Sequence, residues 1–148
     1  MELKEKFVGT WELEDFYMHT QNGVDFYPFG KKPKGLIIYN SDDYMSVIIT
    51  CDNDFCELSK KNSLNELSEE DQQFFKTNSF SYTGTFKIDE EKRVVIHNVQ
   101  ATSLQNAANS QFTRFYELDG DKLVLSTLPM EVGNITKKPL FLVWKRVN

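Results

Sequence analysis

The residues of this sequence best suited to chemistry are His97 and Arg114, with Tyr116 two positions beyond the arginine and Tyr44 and Ser46 on an earlier strand-like run. An imidazole with an ordinary pKa of about 6.5 moves protons near neutrality. A guanidinium holds a carboxylate or enolate oxygen through its fork of N–H donors. Folding Arg93–Ala101 and Gln111–Leu118 symmetrically about the centre of Ser103–Ser110 sets His97 opposite Tyr116 and Val99 opposite Arg114. His97 and Arg114 are then diagonal neighbours on one face. This makes them the candidate catalytic pair, and Tyr39, Tyr44, Ser46, His97, Arg114 and Tyr116 the candidate ligand-binding set. A plainer reading stands beside it, with His97 a hydrogen-bonded wall residue and Arg114 an internal ion-pair partner of Asp15. Tyr39, Tyr44 and Tyr82 also read as packing aromatics with a polar tip.

No Gly-x-Ser-x-Gly elbow, phosphate loop, dinucleotide fingerprint or zinc motif occurs in the chain, so chemistry here is expected to run without a bound cofactor. Cys51 and Cys56 lie five apart, far in sequence from His19 and His97, which argues against a metal site. The aspartates between the two cysteines lack the glycine and glutamate of a calcium loop. Both thiols are expected to be reduced.

The elements that position these residues read as strands. The chain has 148 residues, enough for one domain with a sizeable core, and 1–148 is taken as a single unit. Aromatic residues reach 14%, with 12 Phe and 6 Tyr, which favours β structure. A net charge of −5 argues against nucleic acid as a partner, because such binding draws on Lys and Arg neutralising phosphates. The opening residues alternate in charge, and no apolar run is long enough to span a bilayer, so a cytoplasmic protein with no membrane partner is expected.

Eight substantial strands are predicted, at Phe7–Tyr17, Leu36–Tyr39, Tyr44–Thr50, Phe80–Ile88, Arg93–Ala101, Gln111–Leu118, Lys122–Thr127 and Leu140–Val147. A short ninth covers Val24–Tyr27. Most connections are tight turns, among them Asp119-Gly120, a strong hairpin signal. Cys51–Asn78 changes character, and its leucines and phenylalanines recur at helical spacing, predicting a helical insertion over about 57–77. The pattern points to an all-β protein, an eight-stranded antiparallel up-and-down barrel, with a sandwich as the alternative.

Closure pairs the first strand with the last. Period-two alternation puts Gly9, Trp11, Leu13, Asp15 and Tyr17 on one face of the first strand, the candidate inner face, with Asp15 its odd member, while Leu140, Leu142, Trp144 and Arg146 share a face of the last, so that a guanidinium can stack over Trp11.

Several motifs in this order carry a family resemblance. They are Gly9-Thr10-Trp11, Tyr27-Pro28-Phe29-Gly30, Gly35-Leu36-Ile37-Ile38-Tyr39, Tyr44-Met45-Ser46, Tyr82-Thr83-Gly84-Thr85-Phe86, Arg114-Phe115-Tyr116-Glu117-Leu118-Asp119-Gly120, Leu123-Val124-Leu125-Ser126-Thr127 and Trp144-Lys145-Arg146. Across nearly its whole length the chain resembles the bacterial and fungal lipocalin-like domain family. The resemblance implies a lipocalin-like barrel around a small apolar or amphipathic molecule, and an association with natural-product metabolism. The chain departs from the family pattern in having His97-Asn98 where paired histidines are common, and Ala107 where a tryptophan is common. Two functional expectations result. One is a binding barrel for a small apolar or amphipathic molecule that can bear a carboxylate. The other is a cofactor-free isomerase, cyclase or dehydratase using His97 and Arg114.

Overall fold

The computed structural model describes residues 2–19, 25–51, 79–104, 107–127 and 139–147. A short helix, α1 (Leu3–Phe7), precedes eight strands: β1 (Gly9–Met18), β2 (Lys34–Tyr39), β3 (Tyr44–Thr50), β4 (Ser79–Asp89), β5 (Val94–Thr102), β6 (Gln111–Asp119), β7 (Lys122–Ser126) and β8 (Leu140–Arg146). Each strand pairs antiparallel with its sequence neighbours, and β8 returns to β1, closing the barrel and leaving no open edge among the described strands. A sandwich is thereby excluded. The expected strands recur within one or two residues of their predicted bounds. Of the short run Val24–Tyr27, Phe26 makes an isolated bridge with Met18, and Val24 lies outside the described residues. The helical insertion over 57–77 also falls outside them.

Alternation along the strands sorts the side chains. On β3, Met45, Val47 and Ile49 are buried while Tyr44, Ser46 and Ile48 are exposed. The exception is β1. Leu13 pairs with Trp144 and Asp15 with Val143, so Glu14 is an extra residue in a β-bulge. A one-residue insertion exchanges the two faces of a strand. Beyond the bulge Phe16 and Met18 therefore point inward, and Asp15 and Tyr17 move to the half-buried outer side. The expectation that Asp15 and Tyr17 share the inner face with Trp11 is corrected on this ground.

At one end the barrel is plugged. Five residues are too few to hold a helix by propensity alone, and α1 is fixed by its contacts. Phe7 is fully buried and meets the rings of Tyr39 and Tyr116 edge-on at 5.6 and 5.2 Å. The Trp11 indole N–H donates to the Phe7 carbonyl at 2.9 Å. Arg146 lies opposite Trp11 in the β1–β8 register, with its guanidinium 4.2 Å from the indole centroid. It also donates to the carbonyls of Val8, at 3.0 Å, and Lys6. Gly9, where α1 turns into β1, has φ of 139°, a conformation that L side chains rarely adopt.

Cys51, at the end of β3, is disulfide-bonded, so the expectation of reduced thiols is corrected. The sequence has one other cysteine, Cys56, outside the described residues.

Gly84 marks a second irregularity, where the β4–β5 register shifts between Thr83 and Gly84. A Cβ at this position would stand 1.8 Å from the backbone oxygen of Asn98. Since neither backbone can yield without breaking the ladder, Gly84→Ala is expected to lower stability by about 3 kcal/mol, at the upper end of the usual overpacking cost. Equilibrium denaturation checks this; an unchanged midpoint would mean that β4 and β5 do not approach so closely.

Candidate ligand-binding site

Beyond the aromatic plug the barrel encloses a cavity of about 300 Å³. Its wall is mainly apolar, with Phe16, Ile37, Val47, Ile49, Phe80, Phe112, Leu125, Leu140, Leu142 and Trp144, and polar groups enter from Tyr82, His97, Gln111, Thr113, Arg114 and Thr127. An apolar concavity with a few convergent polar groups is the usual form of a small-molecule site.

His97 comes from β5 and Arg114 from β6. Their register differs from the expected one, because His97 faces Phe112 and Val95 faces Arg114. The chain reverses earlier than a symmetric turn allows. Asn109 donates to the Val99 carbonyl and Val99 to the Ser110 carbonyl, both at 2.8 Å, while Ala101 and Thr102 remain paired with β4 alone. The shift is an even number of residues, so faces are conserved and both side chains line the cavity.

His97 is 1% exposed, and each of its ring nitrogens has a tyrosine partner: Tyr39 Oη lies 2.7 Å from Nε2 and Tyr82 Oη 2.7 Å from Nδ1. Tyr39 comes from β2 and sits behind the cavity wall, fully buried against Phe7 and Phe86. Tyr82, on β4, lines the cavity. Arg114 is half-buried, its guanidinium 5.1 Å from the Phe112 ring centroid and donating to the Thr113 carbonyl at 3.3 Å. Among the described residues no carboxylate forms an ion pair with it. Asp15, the expected partner, lies on the outer side of the bulge and accepts from the Phe16 backbone N–H at 3.0 Å. The bulge thus removes the acid that alternation had placed inside.

Three other members of the predicted set fall elsewhere. Tyr44 and Ser46 are exposed on the outer face of β3, because Met45 and Val47 occupy the inner one; their assignment to the cavity is corrected. Tyr116 is buried but belongs to the plug, against Phe7 and beneath the Arg93 guanidinium, and does not line the cavity. Tyr82, read from the sequence as packing, is instead the residue that joins His97 to the cavity. The period-two run Phe80, Tyr82, Gly84, Phe86 was the signal for its inward orientation. The Trp144 indole N–H is buried with no hydrogen-bond partner among the described residues. No cluster of metal-ligating residues occurs among them.

Burial holds the His97 pKa well below its usual 6.5, and the Arg114 charge lowers it further. The imidazole is therefore neutral at physiological pH. Burial raises both tyrosines, Tyr39 by much and Tyr82 less, since Arg114 favours the ionised form of Tyr82 by charge and by hydrogen bonding. The stability consequence has a definite sign. The unfolded chain takes up a proton at His97 near pH 6.5 and the folded chain does not, so stability is complete above about pH 6.5 and falls as the pH drops towards the folded pKa. Urea titrations between about pH 7.5 and 5 should show this slope in the parent protein and a flatter one in His97→Gln. Equal slopes would mean that His97 is protonated alike in both states.

The family model of the lipocalin-like domain matches residues 8–147. No curated protein matches the sequence. The closed eight-strand barrel, its plugged end and the match over nearly the whole chain agree, and the chain belongs to the lipocalin-like domain family.

Proposed function

We propose that the barrel binds one small, mainly apolar molecule whose polar end is a carboxylate or a similar oxyanion, seated at Arg114. The observation that carries this reading is a guanidinium on the wall of an apolar cavity of about 300 Å³ with no carboxylate partner among the described residues. A half-buried cation in such surroundings is costly unless an anion is offered to it. The volume is at the small end of ordinary ligand pockets, about 300–1,000 Å³, and suits one short chain or a single ring system. The polar lining gives the alternative reading, a cofactor-free isomerase, cyclase or dehydratase, little support through His97. Both of its nitrogens are engaged and its basicity is reduced, which leaves no lone pair directed at a substrate. No helix among the described residues is long and apolar enough to cross a membrane.

Arg114→Leu tests the reading. Replacing a charge that has no carboxylate partner among the described residues by an apolar side chain of similar reach should leave the melting temperature unchanged or raise it, while decanoate binding, followed by calorimetry, falls below detection. A variant that loses several degrees would instead indicate a protein carboxylate as the partner, because stranding a buried acid costs about 3–5 kcal/mol.

A further inference from the structure

The Tyr39–His97–Tyr82 chain has more protons than internal acceptors. A neutral imidazole donates from one nitrogen and accepts at the other. One tyrosine therefore donates to the ring and the other accepts from it, and the accepting tyrosine keeps a hydroxyl proton with no acceptor in the chain. If Nε2 carried the hydrogen, that spare proton would belong to Tyr39, which is fully buried and has no other hydrogen-bond partner among the described residues. An unsatisfied donor there would bear a full desolvation penalty. If Nδ1 carries it, Tyr39 donates to Nε2, Nδ1–H donates to Tyr82 Oη, and the spare proton sits on Tyr82, at the cavity wall that Arg114 also lines and within its reach.

We propose that Tyr82 presents its hydroxyl proton to the ligand as the second donor, next to the Arg114 guanidinium, of a two-point oxyanion site, and that His97 and Tyr39 are positioning residues that aim it. This rests on the cavity reading above and deepens it. The ligand class is one whose terminal oxygens accept from a guanidinium and a phenol together, a carboxylate or a stabilised enolate, in preference to an alcohol or an ester. Tyr39 then acts on the ligand without touching it. Removing its hydroxyl leaves Nε2 without a donor and favours the tautomer in which Tyr82 donates to Nδ1, which turns the Tyr82 proton away from the cavity.

The tautomer is read directly from long-range proton–nitrogen NMR spectra of labelled protein at neutral pH, in which only His19 and His97 contribute histidine signals. Protonation of His97 at Nδ1 alone is expected; an Nε2–H tautomer or an imidazolium overturns the proposal. Binding is measured by calorimetry with decanoate and decanol as probes. Tyr82→Phe should weaken decanoate about tenfold and decanol by no more than about threefold, as loss of a hydrogen bond to a charged acceptor predicts. Tyr39→Phe should weaken decanoate in the parent protein and add nothing in the Tyr82→Phe background. If both probes bind and Tyr82→Phe weakens them equally or not at all, the two-point site is wrong and the cavity reading survives. If the two substitutions are additive for decanoate, Tyr39 does not act through Tyr82 and the proposal fails. If neither probe binds the parent protein, the cavity reading falls and this inference with it. Should Tyr39→Phe not fold, Tyr82→Phe and the tautomer still decide.

Discussion

Arg146 lies over Trp11 and reaches around it to the carbonyls of Val8 and Lys6, so one side chain from the last strand holds the first strand, its indole and the helix that plugs the barrel. A cation over an aromatic face contributes about 0.5–2 kcal/mol, a modest amount on its own. Its importance is geometric. The β1–β8 seam is where the sheet becomes a closed surface, and closure turns alternating strands into an inside and an outside. The plug of Phe7, Trp11, Tyr39 and Tyr116 fills one end with rings, and the empty volume is left to the other.

Within that volume the polar groups follow from what the wall excludes. The β1 bulge takes Asp15 out and brings Phe16 in, so the interior has a guanidinium beside two phenols and an imidazole and no described acid. Arg114 and burial act in the same direction on His97, both disfavouring its protonated form. On Tyr82 they oppose one another. The chain of hydroxyls and nitrogens is accordingly neutral, and the one formal positive charge among the residues of the wall is the arginine.

Strand alternation carried most of the fold in the sequence. Runs such as Tyr44–Thr50 and Lys122–Ser126 are strongly periodic, and the Gly9-Thr10-Trp11 and Trp144-Lys145-Arg146 motifs marked the seam. The bulge at Glu14 was illegible, because one added residue changes no composition and is fixed only by what β8 presents opposite it. Placing Tyr44 and Ser46 inside went against the period-two pattern that put Met45 and Val47 there. His97 and Arg114 share a face in the expected register and in the observed one, since the two differ by an even number of residues. α1 has no signature in the sequence, because five residues have no detectable periodicity and its helical form depends on the burial of Phe7. The tyrosine–histidine chain joins β2, β4 and β5, and no local pattern records such a convergence.

The seam between β1 and β8 is also the last strand pair that can form as the chain is synthesised. Its paired residues, such as Trp11 and Arg146, are separated by nearly the whole chain, whereas every other strand pair is between sequence neighbours. The meander from β2 to β7 can zip up hairpin by hairpin, but β1 has one open side until β8 has been synthesised. Contacts of such sequence separation are slow to form because the intervening loop entropy is lost first. On the ribosome, the half-built sheet therefore has a β1 edge of unpaired amides and carbonyls for as long as the remaining strands take to emerge, and this is the interval in which a chaperone or another nascent chain can reach it.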